Sequence, residues 1–147
     1  MRLRLSAASA LIATAVGTFA LAACGRQVSV PPPESRADIC AQVALPASIA
    51  GAGSRPTTEP DTAAWGEPPI TYRCGVSRPA ALDPTSKLLE VSGIGWLPLE
   101  ASGGTAFIAV TWPSSSPPVY VEVLVPDAYA APADVLADLS PALATAD

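Results

Sequence analysis

Few side chains in this sequence can start chemistry. It holds three cysteines (Cys24, Cys40 and Cys74), 13 carboxylates, a single lysine and no histidine. Without histidine, Ser-His-Asp and Cys-His nucleophiles are impossible, and the commonest transition-metal ligand is missing. Lys87 follows Ser86, but the Ser-x-x-Lys spacing of a lysine-activated serine is absent. Gly51-Ala52-Gly53 and Gly103-Gly104 lack the GxGxxG context that cradles a phosphate. Two carboxylates can hydrolyse a glycosidic bond, yet with 13 of them some pair lies close in any fold. One stretch gathers aromatic, acidic and basic groups: Trp65-Gly66-Glu67, with Arg73 soon after. Such a trio can line a small polar pocket. The competing reading is packing: Trp65 caps the core edge, Gly66 makes a turn, Pro68-Pro69 set a strand entry and Glu67 pairs with Arg73. Trp96 and Trp112 fall in strand-like patterns and read as core.

The thiol of Cys24 has the most specific context. Arg2 and Arg4 form a short basic region, Leu5 to Leu21 carries no charge, and Leu21-Ala22-Ala23-Cys24-Gly25 follows. This is a secretory signal whose end is similar to a bacterial lipoprotein cleavage motif. In such proteins the cysteine sulfur takes a diacylglyceryl group and becomes the first mature residue. Two or more acyl chains anchor stably where one is marginal. An ordinary signal-peptidase site at Ala20-Leu21-Ala22 and an uncleaved membrane span compete with this reading. Ser9, Thr14, Gly17 and Thr18 dilute the apolar run as a span. The odd number of cysteines favours the lipid: acylating Cys24 leaves Cys40 and Cys74 as a structural disulfide. Their spacing is not the Cys-x-x-Cys of a redox pair, and no thiolate metal site remains.

Removal of residues 1–23 leaves 124 residues, enough for one small domain. Six basic and 13 acidic residues then give a formal charge of −7. A chain so acidic, with no basic run, is a poor candidate for nucleic acid and has no patch for anionic lipid. All 17 prolines lie in the mature part and argue for short elements and many loops.

The elements that must position these residues follow from periodicity. Pro31-Pro32-Pro33 makes residues 24–34 a polyproline tether, and residues 35–147 form the domain. Ser35 and Asp38 suit a capping box, predicting a helix over 36–45 stopped by Pro46. A further turn is expected within 47–54, and a loop over 55–69. Ile70–Val76 alternates with Tyr72, Cys74 and Val76 on one face and Arg73 on the other. Leu88–Leu99 reads as a strand broken at Gly93 and Gly95. Ala101–Gly104 is a hairpin turn, and strands follow over Thr105–Trp112 and Val119–Val125, with Glu122 opposite the valines. Pro132 and Asp134 start a helix carrying Val135, Leu136, Leu139 and Leu143 on one face, ended or kinked by Pro141. This order predicts an α+β fold: a two-layer domain with a mainly antiparallel sheet of about four strands and a helix at each end.

Trp65-Gly66-Glu67-Pro68-Pro69-Ile70, Arg73-Cys74-Gly75-Val76, Gly93-Ile94-Gly95-Trp96 and Val121-Glu122-Val123 also carry a resemblance. The chain resembles an uncharacterised family of actinobacterial exported proteins, domain of unknown function 3515, over about residues 37–143. The resemblance implies export, a single domain and the Cys40–Cys74 pair, and brings no catalytic residue and no cofactor. Two function classes stay open. One is a lipid-anchored, non-catalytic protein on the extracytoplasmic face of the membrane, binding an envelope protein or cell-wall component. The alternative is a small carboxylate-dependent enzyme acting on envelope glycans or lipids. No metal is expected in either.

Overall fold

The computed structural model describes residues 25–112 and 117–146. The signal segment and Cys24 lie outside them, as does most of the expected Pro113–Pro118 connection. The described chain forms a short 3-10 turn (Asp38–Gln42), eight strands and a C-terminal helix. The strands are β1 Ser48–Ile49, β2 Ala52–Arg55, β3 Thr62–Trp65, β4 Ile70–Val76, β5 Leu89–Val91, β6 Ile94–Ala101, β7 Gly104–Ala109 and β8 Tyr120–Pro126; α1 spans Pro132–Ala146. They build one antiparallel sheet in the order β1-β2-β3-β4-β8-β7-β6-β5. Two four-strand meanders thus meet where β4 pairs with β8.

The antiparallel sheet and C-terminal helix agree with the sequence, but there are eight strands where about four were expected. The extra strands come from tight hairpins. Ala50 and Gly51 have φ of 48° and 76°, and Ser92 and Gly93 have 51° and 81°. Two successive left-handed residues make the two-residue turn whose twist matches antiparallel strands. What reads as a turn over 47–54 is therefore the β1–β2 hairpin. What reads as one broken strand over 88–99 is the β5–β6 hairpin. The expected loop over 55–69 contains β3, whose alanines carry little strand signal.

The expected N-terminal helix is only the single 3-10 turn. Ser35 does not cap it: its backbone N–H and its hydroxyl both donate to the Gly75 carbonyl, at 2.9 and 3.0 Å. The Cys40–Cys74 disulfide, with Cα atoms 5.7 Å apart, holds the turn against β4 from the other side. Pinned twice to a strand, the segment cannot wind further, and Val43 is already extended (φ −71°, ψ 109°).

Helix α1 lies on one face of the sheet and touches β1 and β5 at its two edges as well as β8 at its centre. The sheet therefore curls around the helix. Val135, Leu136, Leu139 and Leu143 pack against Trp65, Tyr72, Trp96, Phe107, Val121 and Val123, all buried. The Trp112 indole donates to the Leu143 carbonyl at 2.8 Å, and the Ala50 N–H donates to Asp138 at 2.8 Å, tying both halves to the helix. The helix runs through Pro141 to Ala146. The carbonyl that proline leaves without a donor belongs to Ala137, an exposed residue, where water can satisfy it.

The opposite face of the sheet is crossed by residues 25–35, the stretch expected as a semi-rigid tether, which is held there through Val28 and Val30. Val28 forms a parallel bridge with Thr57, and Val28 and Val30 are buried together with Ala64 of β3. The strap ends on β4, where Gly75 bulges with φ 95°. A Cβ there would collide with the Ser35 carbonyl oxygen, so only glycine admits the strap this close.

Candidate functional site

The structure does not gather Trp65, Glu67 and Arg73. Trp65 ends β3 with its side chain in the core, 1% exposed, and its indole N–H donates to the Pro46 carbonyl at 2.9 Å. Glu67 projects into solvent from the turn between β3 and β4 and pairs with Arg55, not Arg73. Arg55 also donates to the Gly66 carbonyl at 2.9 Å. Gly66 has φ 72°, and a Cβ there would strike Ala52 and the Tyr129 hydroxyl. That hydroxyl donates to the Pro68 carbonyl at 2.9 Å. The Trp-Gly-Glu-Pro-Pro run is thus a packed turn, with a cis peptide between Glu67 and Pro68.

Arg73 sits elsewhere, on the face of β4 that the strap crosses. Its cross-strand neighbour is Glu122 of β8, with Nε 2.9 Å from Oε1. One Nη lies 3.9 Å from Glu34 and donates to the Pro32 carbonyl at 3.4 Å. Glu34 in turn accepts the Ser77 N–H at 3.1 Å. Around this network lies an open groove of about 250 Å³ with Arg78 at its side and the apolar side chains of Leu99 and Ile108 in its lining. It is the place among the described residues where charges of both signs meet buried apolar surface in a concavity. Of the expected trio only Arg73 belongs to it. Glu34, Glu122 and Arg78 come from the strap, β8 and the loop after β4. A second concavity, about 430 Å³, is lined by Ala50, Ala128–Ala131 and Asp134 and offers one carboxylate.

Electrostatics adds little reactive character. Ser140 is the only buried polar or charged side chain among the described residues apart from aromatic side chains and the disulfide. Every described carboxylate side chain is at least partly exposed. The Asp83 carboxyl is held low by hydrogen bonds from the Thr85 hydroxyl and N–H, both 2.7 Å, within an exposed turn. Burial, and secondarily Asp61, pushes the Tyr72 hydroxyl well above its ordinary value. That hydroxyl and the Trp96 indole N–H are buried with no hydrogen-bond partner among the described residues. Among the described residues no three Cys, Asp or Glu side chains come together to hold a metal. No described helix is long and apolar enough to cross a membrane.

Over residues 5–146 the chain matches the family described as a protein of unknown function, DUF3515. The chain belongs to this family. The match takes in the apolar segment and Cys24 as well as the domain. No curated protein and no solved structure matches the chain.

Proposed function

We propose that this member of the family is a lipid-anchored protein of the bacterial cell envelope. Acylated Cys24 holds it on the extracytoplasmic face, and its domain binds an envelope protein or cell-wall component without turnover. One observation carries the anchor: Leu21-Ala22-Ala23-Cys24 closes an uncharged segment behind two arginines, in a chain whose other two cysteines are committed to each other. The family match, starting at residue 5, includes that segment.

The binding role draws support from the shape and charge of the domain. The concavities are open, the described carboxylates are not buried, and histidine is absent from the sequence. The groove at Arg73 and Glu122 is the surface this reading uses, since ionic groups above an apolar floor suit recognition.

Metabolic labelling with an alkynyl fatty acid tests the anchor. Wild-type protein should take up label and Cys24→Ser should take up none; an unlabelled wild type would defeat the reading. Cross-linking of the anchored protein in membranes tests the binding role, and Arg73→Ala should weaken capture without changing membrane association. A purified domain that hydrolyses an envelope glycan or lipid, and stops on one Asp or Glu substitution, would replace binding with catalysis.

A further inference from the structure

A tether works as a spacer only while its residues are free. Here they are engaged almost to the first mature residue. The Val28 N–H donates to the Pro56 carbonyl at 2.8 Å, and the Val28 carbonyl accepts the Thr58 N–H at 3.3 Å. Arg55 donates to the Arg26 carbonyl at 3.4 Å, and the Gln27 amide to the Thr57 carbonyl at 3.5 Å. A Cβ on Gly25 would already touch the Pro56 ring at 4.0 Å. Downstream, Val30 is 2% exposed, and Ser35 and Glu34 are bonded to Gly75 and Ser77. One peptide link, about 3.8 Å between Cα atoms, joins Gly25 to Cys24.

We propose that residues 25–35 are a docking strap that seats the domain directly on the outer surface of the bilayer, with the Pro56–Thr58 corner at the lipid headgroups. This rests on acylation of Cys24, and the occupant of the surface is the bilayer that receives those acyl chains. Cys24 is bonded directly to Gly25, so the Pro56 corner beside Gly25 is one residue from the acylated cysteine. A free segment of the same 11 residues would let the domain drift by roughly 17–20 Å root-mean-square; the strap leaves it about one residue. The corner suits the position. Pro56 and Thr58 are exposed and uncharged, and Arg55 beside them is neutralised by Glu67. The contact therefore needs no anionic lipid, in keeping with a mature chain of net charge −7 that such lipid would repel. A domain held this low meets only partners that lie close to the membrane.

The test uses full-length acylated protein in neutral phosphatidylcholine vesicles that contain an acceptor dye on a lipid headgroup. A donor is placed at Thr58→Cys, the only free thiol once Cys24 is acylated and Cys40 and Cys74 are joined. Energy transfer is compared with a variant carrying ten Gly/Ser residues between Gly25 and Arg26, ahead of every packed side chain. The strap predicts high transfer in the native sequence and a drop of about twofold or more with the insertion, which adds roughly 16–19 Å of mean reach. Val28→Asp with Val30→Asp, which peels the strap, should lower transfer as well. Equal transfer in native and inserted proteins, or low transfer in both, overturns the proposal. Flotation is read first: protein that fails to float with vesicles defeats acylation itself, whereas protein that floats with insensitive transfer defeats only the strap.

Discussion

Removing the Cys40–Cys74 bond should cost this domain a large part of its stability. The cysteines are separated by 34 residues, and the loop-entropy relation for that length gives about 3.8 kcal/mol at 25 °C. Folded domains of this size hold only about 5–15 kcal/mol, so the bond carries at least a quarter of the total. Each kcal/mol shifts the midpoint of such a domain by roughly 4 °C, and Cys40→Ala with Cys74→Ala should lower Tm by roughly 15 °C. The bond also has a local task. It and the Ser35–Gly75 contacts are what pin the 3-10 turn to β4, so the double variant should expose residues 36–45 to protease before the sheet opens. Urea unfolding of residues 25–147, followed by circular dichroism with and without reductant, measures the first effect, and limited proteolysis measures the second. A double variant as stable as wild type, or rapid alkylation of both thiols in native unreduced protein, would mean that the bond does not stabilise the domain in this way.

Trp65→Ala should destabilise the domain by about 3–5 kcal/mol, because the indole is buried and bonded to Pro46; in a thermal melt the variant should fail through unfolding, not through lost partner capture alone. Tyr72→Phe removes a buried hydroxyl that has no partner among the described residues and should leave stability equal or raise it by about 1 kcal/mol. The same residue sets an alkaline limit: its folded pKa is raised, so above about pH 10 the unfolded chain loses a proton that the folded chain keeps, and stability falls as pH rises. Tyr72→Phe should flatten that part of a denaturant-midpoint profile. Gly75→Ala adds a Cβ against the Ser35 carbonyl at φ 95° and should cost about 1–3 kcal/mol, read as faster proteolysis of residues 25–35.

The parts legible in the sequence are those with a strong local period. β8 alternates throughout and β4 as far as its bulge at Gly75, α1 carries its leucines on one face, and Ser102-Gly103 marks a hairpin. β1 has two residues and β3 is Thr-Ala-Ala-Trp, too short or too small to leave a hydrophobic signature. The capping-box pattern at Ser35 and Asp38 is real as a local preference, but tertiary bonds to Gly75 and Cys74 outcompete it. Alternation already places Arg73 and Glu122 on the face away from the core. Their pairing depends on β4 lying beside β8 across 49 residues, which no local pattern encodes. Glu67 lies close to Arg73 in sequence, yet the turn at Gly66 aims it at Arg55. The proline run carries no sign that the valines before it would find Ala64 and Thr57.

Whether acylated Cys24 carries this domain is read from the intact mass of the protein extracted from bacterial membranes. A chain beginning at Cys24, heavier than its sequence mass by a diacylglyceryl group with or without a further acyl chain, is the result expected. A chain beginning at Ala23, one retaining residues 1–23, or one at its bare sequence mass would mean that the domain is not held by a lipid on Cys24.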